Sequence, residues 1–101
     1  MGRSPIDPRV RLSIELALTA NNAMPSQFAK QEEAGRALGM TGAEMDVARR
    51  GSSFDFHTSI AVSLALHACR ETRQRARDAG FSKETCEEIE CLALSLRAQT
   101  A

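Results

Sequence analysis

NNAMPSQFAKQEEAGRALGMTGAE, residues 21–44, sets the architecture of the chain. A helix runs out at Asn21 and Asn22, and Pro25 restarts it, because a proline in a first helical turn gives up only an N–H that has no intrahelical partner. The helix it opens is predicted to run to Leu38, with Gly39 as its stop. Thr41 and Glu44 form a capping box, and Met40 with Met45 supplies the flanking apolar staple, so a third helix follows at once. The stretch is therefore a helix–Gly–helix hairpin. Its turn feeding a helix N-terminus also has the layout of an active site, yet it holds no Cys, His or Asp and presents Met24, Gln27 and Gln31 instead.

Working outward, Asp7 followed by Pro8 predicts the start of a first helix with apolar positions Val10, Ile14, Leu16, Ala17 and Leu18, ending near Asn22. The third helix should end before Gly51. Asp55, or Ser53 before it, is predicted to open a long fourth helix in which Phe56, Ile60, Leu64 and Ala68 fall four apart, stopping only at Gly80. Ser82 then caps a fifth helix carrying Cys86, Ile89, Leu92, Ala93 and Leu96, with Glu84, Glu87 and Glu88 towards its N-terminal half. No alternating strand pattern is visible. AGRALGMTGAEMDVAR (34–49) and RARDAGFSKETCEEIE (75–90) share one plan: helix end, Gly, apolar residue, Thr or Ser cap, acidic helix. Two such hairpins suit a packed bundle, since a solenoid needs three or more units.

Composition agrees. The 101 residues form one expected domain, 1–101, with a flexible lead over residues 1–6. Apolar residues make up 43%, but four Phe and no Trp or Tyr leave the core to Leu, Ile, Val, Ala and Met, a palette that favours helices. Thirteen Lys and Arg balance thirteen Asp and Glu, so no overall field draws the chain to nucleic acid or to a membrane surface, and neither is an expected partner. The apolar runs fall well short of the roughly 18 residues of a membrane span, and MGRSPIDPR has no hydrophobic signal region, which points to the cytoplasm. Three cysteines without a CxxC or a metal-like spacing to His are expected to be reduced and buried. No motif calls for a cofactor.

On these residues the chain resembles the carboxymuconolactone decarboxylase and alkyl hydroperoxidase D (AhpD-like) superfamily, an all-helical group. Its pattern is an apolar helix ending in an Ala-Ala-Asn-like stretch, then Cys-x-x-Cys-x-x-x-His-x-x-x-Ala-x-x-x-Gly, then a capped acidic helix. LSIELALTANNAMPSQFAKQEEAGRALGMTGAE follows that frame. RRGSSFDFHTSIAVSLA and ARDAGFSKETCEEIECLAL are similar to the second half of longer members, so the resemblance covers about residues 11 to 95. Counted back from Gly39, it places the two cysteine positions on Met24 and Gln27, the histidine on Gln31 and the small residue on Gly35. The family's upstream Glu falls on Leu12, with Glu15 a turn away and off that count. A cysteine in a first helical turn has its thiolate stabilised by free N–H groups while a nearby His relays protons. Met24 cannot ionise, and Gln27 and Gln31 hydrogen-bond without carrying protons on and off near neutral pH. Decarboxylase-type members also lack the cysteine pair but keep the His, which is missing here.

Other candidates lie outside that frame. Cys69 and His67 would make a nucleophile pair only if they faced each other, and residues two apart on a helix do not; a buried small thiol is the alternative. His67 and Glu71 sit four apart, with His57 earlier on the same predicted helix, but no further ligand is spaced to complete a metal site, so a surface hydrogen bond is the expectation. Cys86 and Cys91, five apart, are off-register for one helix face. Arg70, Arg73 and Arg77 share a face in what reads as the last turns of the long helix, where they would offset its dipole or meet a neighbouring subunit. Glu32 and Glu33 beside Gln31 would bring a carboxylate to the frame or form a solvated face.

The expected fold is an all-α, AhpD-like bundle of about five helices built from helix–Gly–helix hairpins. It is expected to be a homo-oligomer, because the first and fourth helices carry apolar residues on more than one stripe and because the resemblance implies helical trimers or hexamers. Function divides into two readings, with the small-molecule ligand unnamed in either. One is a non-catalytic or diverged binding or assembly module. The other is an enzyme of the same superfamily, peroxidase-like or decarboxylase-like, with chemistry displaced to Cys69, His57, His67 or a Glu near the frame. The two replaced cysteines and the replaced histidine tilt the expectation away from catalysis.

Overall fold

The Asp7 carboxylate accepts the Val10 N–H at 2.9 Å and, with Pro8 in the first turn, starts helix α1 (Pro8–Thr19). In the computed structural model, which describes residues 6–21 and 23–100, five further helices follow: α2 (Pro25–Ala37), α3 (Gly42–Arg49), α4 (Phe56–Leu66), α5 (Arg70–Asp78) and α6 (Lys83–Thr100). No strand occurs among the described residues. The caps are those the sequence announces: Thr41 and Glu44 exchange reciprocal bonds of 3.1 and 3.2 Å, Asp55 accepts the Thr58 N–H at 2.8 Å, and Ser82 accepts that of Thr85 at 3.1 Å. Each such cap is worth about 1 kcal/mol.

Both hairpins turn through a left-handed glycine, Gly39 at φ 81° and Gly80 at φ 99°. In each, the glycine N–H and the next N–H reach back three and five residues, Gly39 to Arg36 and Met40 to Gly35, Gly80 to Arg77 and Phe81 to Ala76. This is a Schellman closure, and it needs a residue without a Cβ penalty at positive φ.

The predicted five helices become six because the long fourth helix breaks at His67–Cys69. An uninterrupted helix would use the carbonyls of Ala65 and Leu66 to accept from Cys69 and Arg70. Arg97 of α6 takes both instead, at 3.1 and 2.9 Å, while the Thr72 hydroxyl donates to His67 O and accepts from Cys69 N. Tertiary and side-chain donors thus replace the helical ladder. A second correction concerns the expected flexible lead: residues 1–5 lie outside the described residues, but Ile6 is buried in the core. The expected end of the first helix near Asn22 also shifts, to Thr19, and Asn22 itself lies outside the described residues.

Helix α1 divides the interior. On one side Leu12 and Leu16 pack with Met40, Met45 and Ala48 of the first hairpin. On the other, Val10 and Ile14 join Ile60, Val62, Leu64, Cys86 and Ile89. The two apolar stripes of α1, and the stripes of α4 formed by Ile60, Ala61, Val62, Leu64 and Ala65, are therefore covered within the chain. That leaves Phe56 of α4, 67% exposed, as the uncovered part of those stripes. The repeat, in turn, extends beyond the hairpins to three helices: Asp7 and Asp55 cap α1 and α4 alike, and buried Leu12, Ile14 and Leu16 correspond to Ile60, Val62 and Leu64. The hairpins even share a cross-link of reversed sign, Glu32 to Arg49 at 3.3 Å and Arg73 to Glu90 at 2.8 Å.

Candidate functional site

Glu15 and Thr19 lie four apart on α1 and so project from one face, the face met by α2. Thr19 is buried, its hydroxyl donating to Glu15 O at 2.7 Å. Gln31 of α2, only 3% exposed, directs its Nε2 to Glu15 Oε2 at 2.8 Å and to Thr19 Oγ1 at 3.0 Å. An amide nitrogen has two hydrogens, and both find acceptors here. The orientation of the amide follows from chemistry, because an ionised carboxylate only accepts. The three residues form a satisfied polar clamp between α1 and α2.

Around it, Met24 is the N-cap of α2, makes no side-chain cap bond and is 68% exposed. Gln27 is half-buried in the first turn, one turn before Gln31. Gly35, in the last turn of the helix, faces Met45, whose thioether would overlap any Cβ placed there. Glu33 is exposed, whereas Glu32 pairs with Arg36 and Arg49, and the Arg49 guanidinium stacks 4.0 Å over the Phe28 ring. The Glu32 carboxylate is thus held away from the clamp by two arginines. Glu15 itself borders a groove of about 330 Å³ between α1, α2 and α6, lined by Leu12, Leu38, Leu92 and Leu96 among others.

The outside candidates are not brought together. His57, in the first turn of α4, stacks on Phe81 at 5.9 Å, while exposed His67 is the C-cap at the other end of that helix. The helix break separates His67 from Glu71, which now lies in the first turn of α5. Cys69 is exposed, contrary to the expectation of burial, because the break places it at the N-cap of α5. The Thr72 N–H, and then its hydroxyl, hold this thiol below the usual range. Cys91 is exposed as well, and only Cys86 is buried, its thiol pushed up by desolvation. Arg70 opens α5 rather than closing a helix, so the expected dipole-offsetting role does not apply to it. Arg73 meets Glu90 through a two-pronged contact, Nε to Oε2 at 2.9 Å and Nη2 to Oε1 at 3.0 Å, within the chain and not across subunits. Among the described residues no group of three or more His, Cys, Asp or Glu is placed to hold a metal ion, and no helix is long and apolar enough to cross a membrane.

Comparison of the chain with protein-family models, curated proteins and solved structures returns no match. The site rests on its own geometry. The residues that sequence reasoning missed were Glu15 and Thr19: a count along the chain pointed at Leu12, which is buried among apolar neighbours of the first hairpin. Two polar residues four apart in the apolar second half of α1 were the available signal.

Proposed function

We propose that this chain is a non-catalytic, diverged member of the AhpD-like frame, a helical binding or assembly module. The observation that carries the reading is Gln31, the position where the resemblance puts a histidine. Both hydrogens of its amide nitrogen are taken by Glu15 and Thr19, and an amide bonded in this way ties two helices together without moving a proton. The nearby carboxylate that a relay would need is thereby held in a static hydrogen bond. Exposed Met24 and half-buried Gln27 add no ionisable group at the helix N-terminus. Restoring the frame tests the assignment of positions. The variant Met24→Cys/Gln27→Cys/Gln31→His should form an intrachain disulfide under mild oxidation, since its thiols would sit one turn apart. Failure to form it, in a variant that keeps its helical circular dichroism, removes the AhpD-like assignment.

Self-assembly belongs to the same reading. Met24, Phe28, Phe54, Phe56 and Leu94 are large apolar side chains left exposed on the chain. Sedimentation equilibrium at micromolar concentration should give a homo-oligomer, and a monomer there removes the assembly role. A second reading, an enzyme with displaced chemistry, is favoured by one observation: exposed Cys69 at a helix N-cap with a lowered pKa. Thiol reactivity alone does not separate the readings, because an exposed cap thiol reacts in either. Turnover that depends on Cys69 does.

A further inference from the structure

The N-termini of α1, α3 and α4 meet around an open cleft of about 420 Å³, and each brings its capping carboxylate: Asp7, Glu44 and Asp55. Every one of these groups uses one oxygen on its own helix. Asp7 Oδ1 accepts from Val10 N, Glu44 Oε1 from Thr41 N, and Asp55 Oδ2 from the N–H and hydroxyl of Thr58. Among the described residues the second oxygen of each has no partner. Arg9 is the one cation of the lining, and its Nε is already bonded to Leu38 O at 2.9 Å. Three carboxylates against one guanidinium leave the side chains of the cleft with an excess of negative charge, which the three helix N-termini offset in part, and Phe54, 70% exposed, and Met40 give it an apolar wall.

An acidic rim alone would be an ordinary solvated surface. Ser13 makes it a site. It is only 3% exposed and lines this cleft, and its hydroxyl makes no hydrogen bond among the described residues. A serine inside a helix ordinarily bonds back to the preceding turn. No fully enclosed side-chain oxygen or nitrogen of those residues is left unsatisfied, so the Ser13 oxygen is not sealed off, and the cleft that Ser13 lines is its opening.

We propose that this cleft binds a linear aliphatic di- or polyamine. The carboxylates do not converge closely enough to hold a metal ion, so the complement is a cation whose charges are spread along a chain. Ammonium groups bridge the open oxygens of Asp7, Glu44 and Asp55, one of them also donates to Ser13 Oγ, and the intervening methylenes lie along Phe54 and Met40. The proposal is independent of the reading of Gln31, which lies in a different part of the fold.

The test is an NMR titration of the ¹⁵N-labelled full chain with spermidine and putrescine. Sodium chloride and magnesium chloride at matched ionic strength, inorganic phosphate, and the single-ammonium probe N-acetyl-lysine amide serve as comparisons. Spermidine should give saturable shifts confined to amides near Ser13, Thr41–Glu44 and Asp55–Thr58, with putrescine weaker and the lysine amide weaker still. Ser13→Ala should keep the melting temperature or raise it, since it removes an unpartnered hydroxyl, and should weaken spermidine binding about tenfold. Glu44→Gln and Asp55→Asn retain cap acceptors and should each weaken binding too. The proposal is overturned by shifts that salt reproduces, by preferential binding of magnesium, phosphate or the lysine amide, or by a folded Ser13→Ala chain that binds spermidine as before.

Discussion

Gln31 Nε2 lies 2.8 Å from Glu15 Oε2, and this one bond spans α2 and α1. Its neighbour Thr19 Oγ1, 3.0 Å from the same nitrogen, takes the second amide hydrogen. The arrangement has the marks of a structural polar network: Gln31 and Thr19 are buried, both hydrogens of the amide nitrogen are taken, and Gln31 has no titrating centre.

Replacing Gln31 with Leu keeps the volume roughly constant but leaves Glu15 and Thr19 short of a donor. Destabilisation of about 1–3 kcal/mol is expected from urea unfolding. In a double-mutant cycle with Glu15→Gln the two losses should be non-additive, because the residues share one bond.

Gly35 and Gly42 should respond oppositely to alanine. A Cβ at Gly35 overlaps the thioether of Met45, which is 1% exposed and has little room to yield. The overpacking penalty of about 1–3 kcal/mol should exceed the helix-propensity gain of about 1 kcal/mol. At Gly42 a Cβ meets nothing within 4 Å, so Gly42→Ala should stabilise by about 0.4–1 kcal/mol. Thermal melts of the two variants give the signs.

Asp55 should leave an acid signature. The N–H and hydroxyl of Thr58 hold its carboxyl below the usual carboxylate range, so the folded chain binds this proton more weakly than the unfolded one. The cap's contribution is then complete above about pH 4 and is lost as pH falls through the depressed folded pKa. Asp55→Asn, which keeps an acceptor, should flatten that part of the stability–pH curve.

The three thiols should separate by rate. Cys69 is expected to react first with a disulfide reagent near neutral pH, Cys91 next, and buried Cys86 only on unfolding. Thr72→Val should slow Cys69 by removing the hydroxyl at 3.6 Å from its sulfur, and Thr72→Ser should restore the rate.

These assignments differ in how far the sequence disclosed them. Caps and glycine stops were legible because each is a local bond between residues three to five apart: Asp7 to Val10, Thr41 to Glu44, Gly39 to Arg36. The break after Leu66 was not, since no Pro or Gly marks it and the apolar period runs through Ala68. It depends on Arg97, more than thirty residues away, capturing the carbonyls of Ala65 and Leu66. The exposure of Cys69 follows from that break and was hidden with it. Glu15 was passed over because register along the chain was followed instead of helical facing, which pairs it with Thr19 and aims both at Gln31.

The central claim is that the Gln31 clamp has replaced catalysis. It is met most directly by the initial rate of hydroperoxide consumption by the wild-type chain in the presence of a dithiol reductant. The account predicts a rate equal to that of reductant alone. A saturable, enzyme-proportional rate that disappears in Cys69→Ser would contradict it and transfer the function to the α4–α5 break.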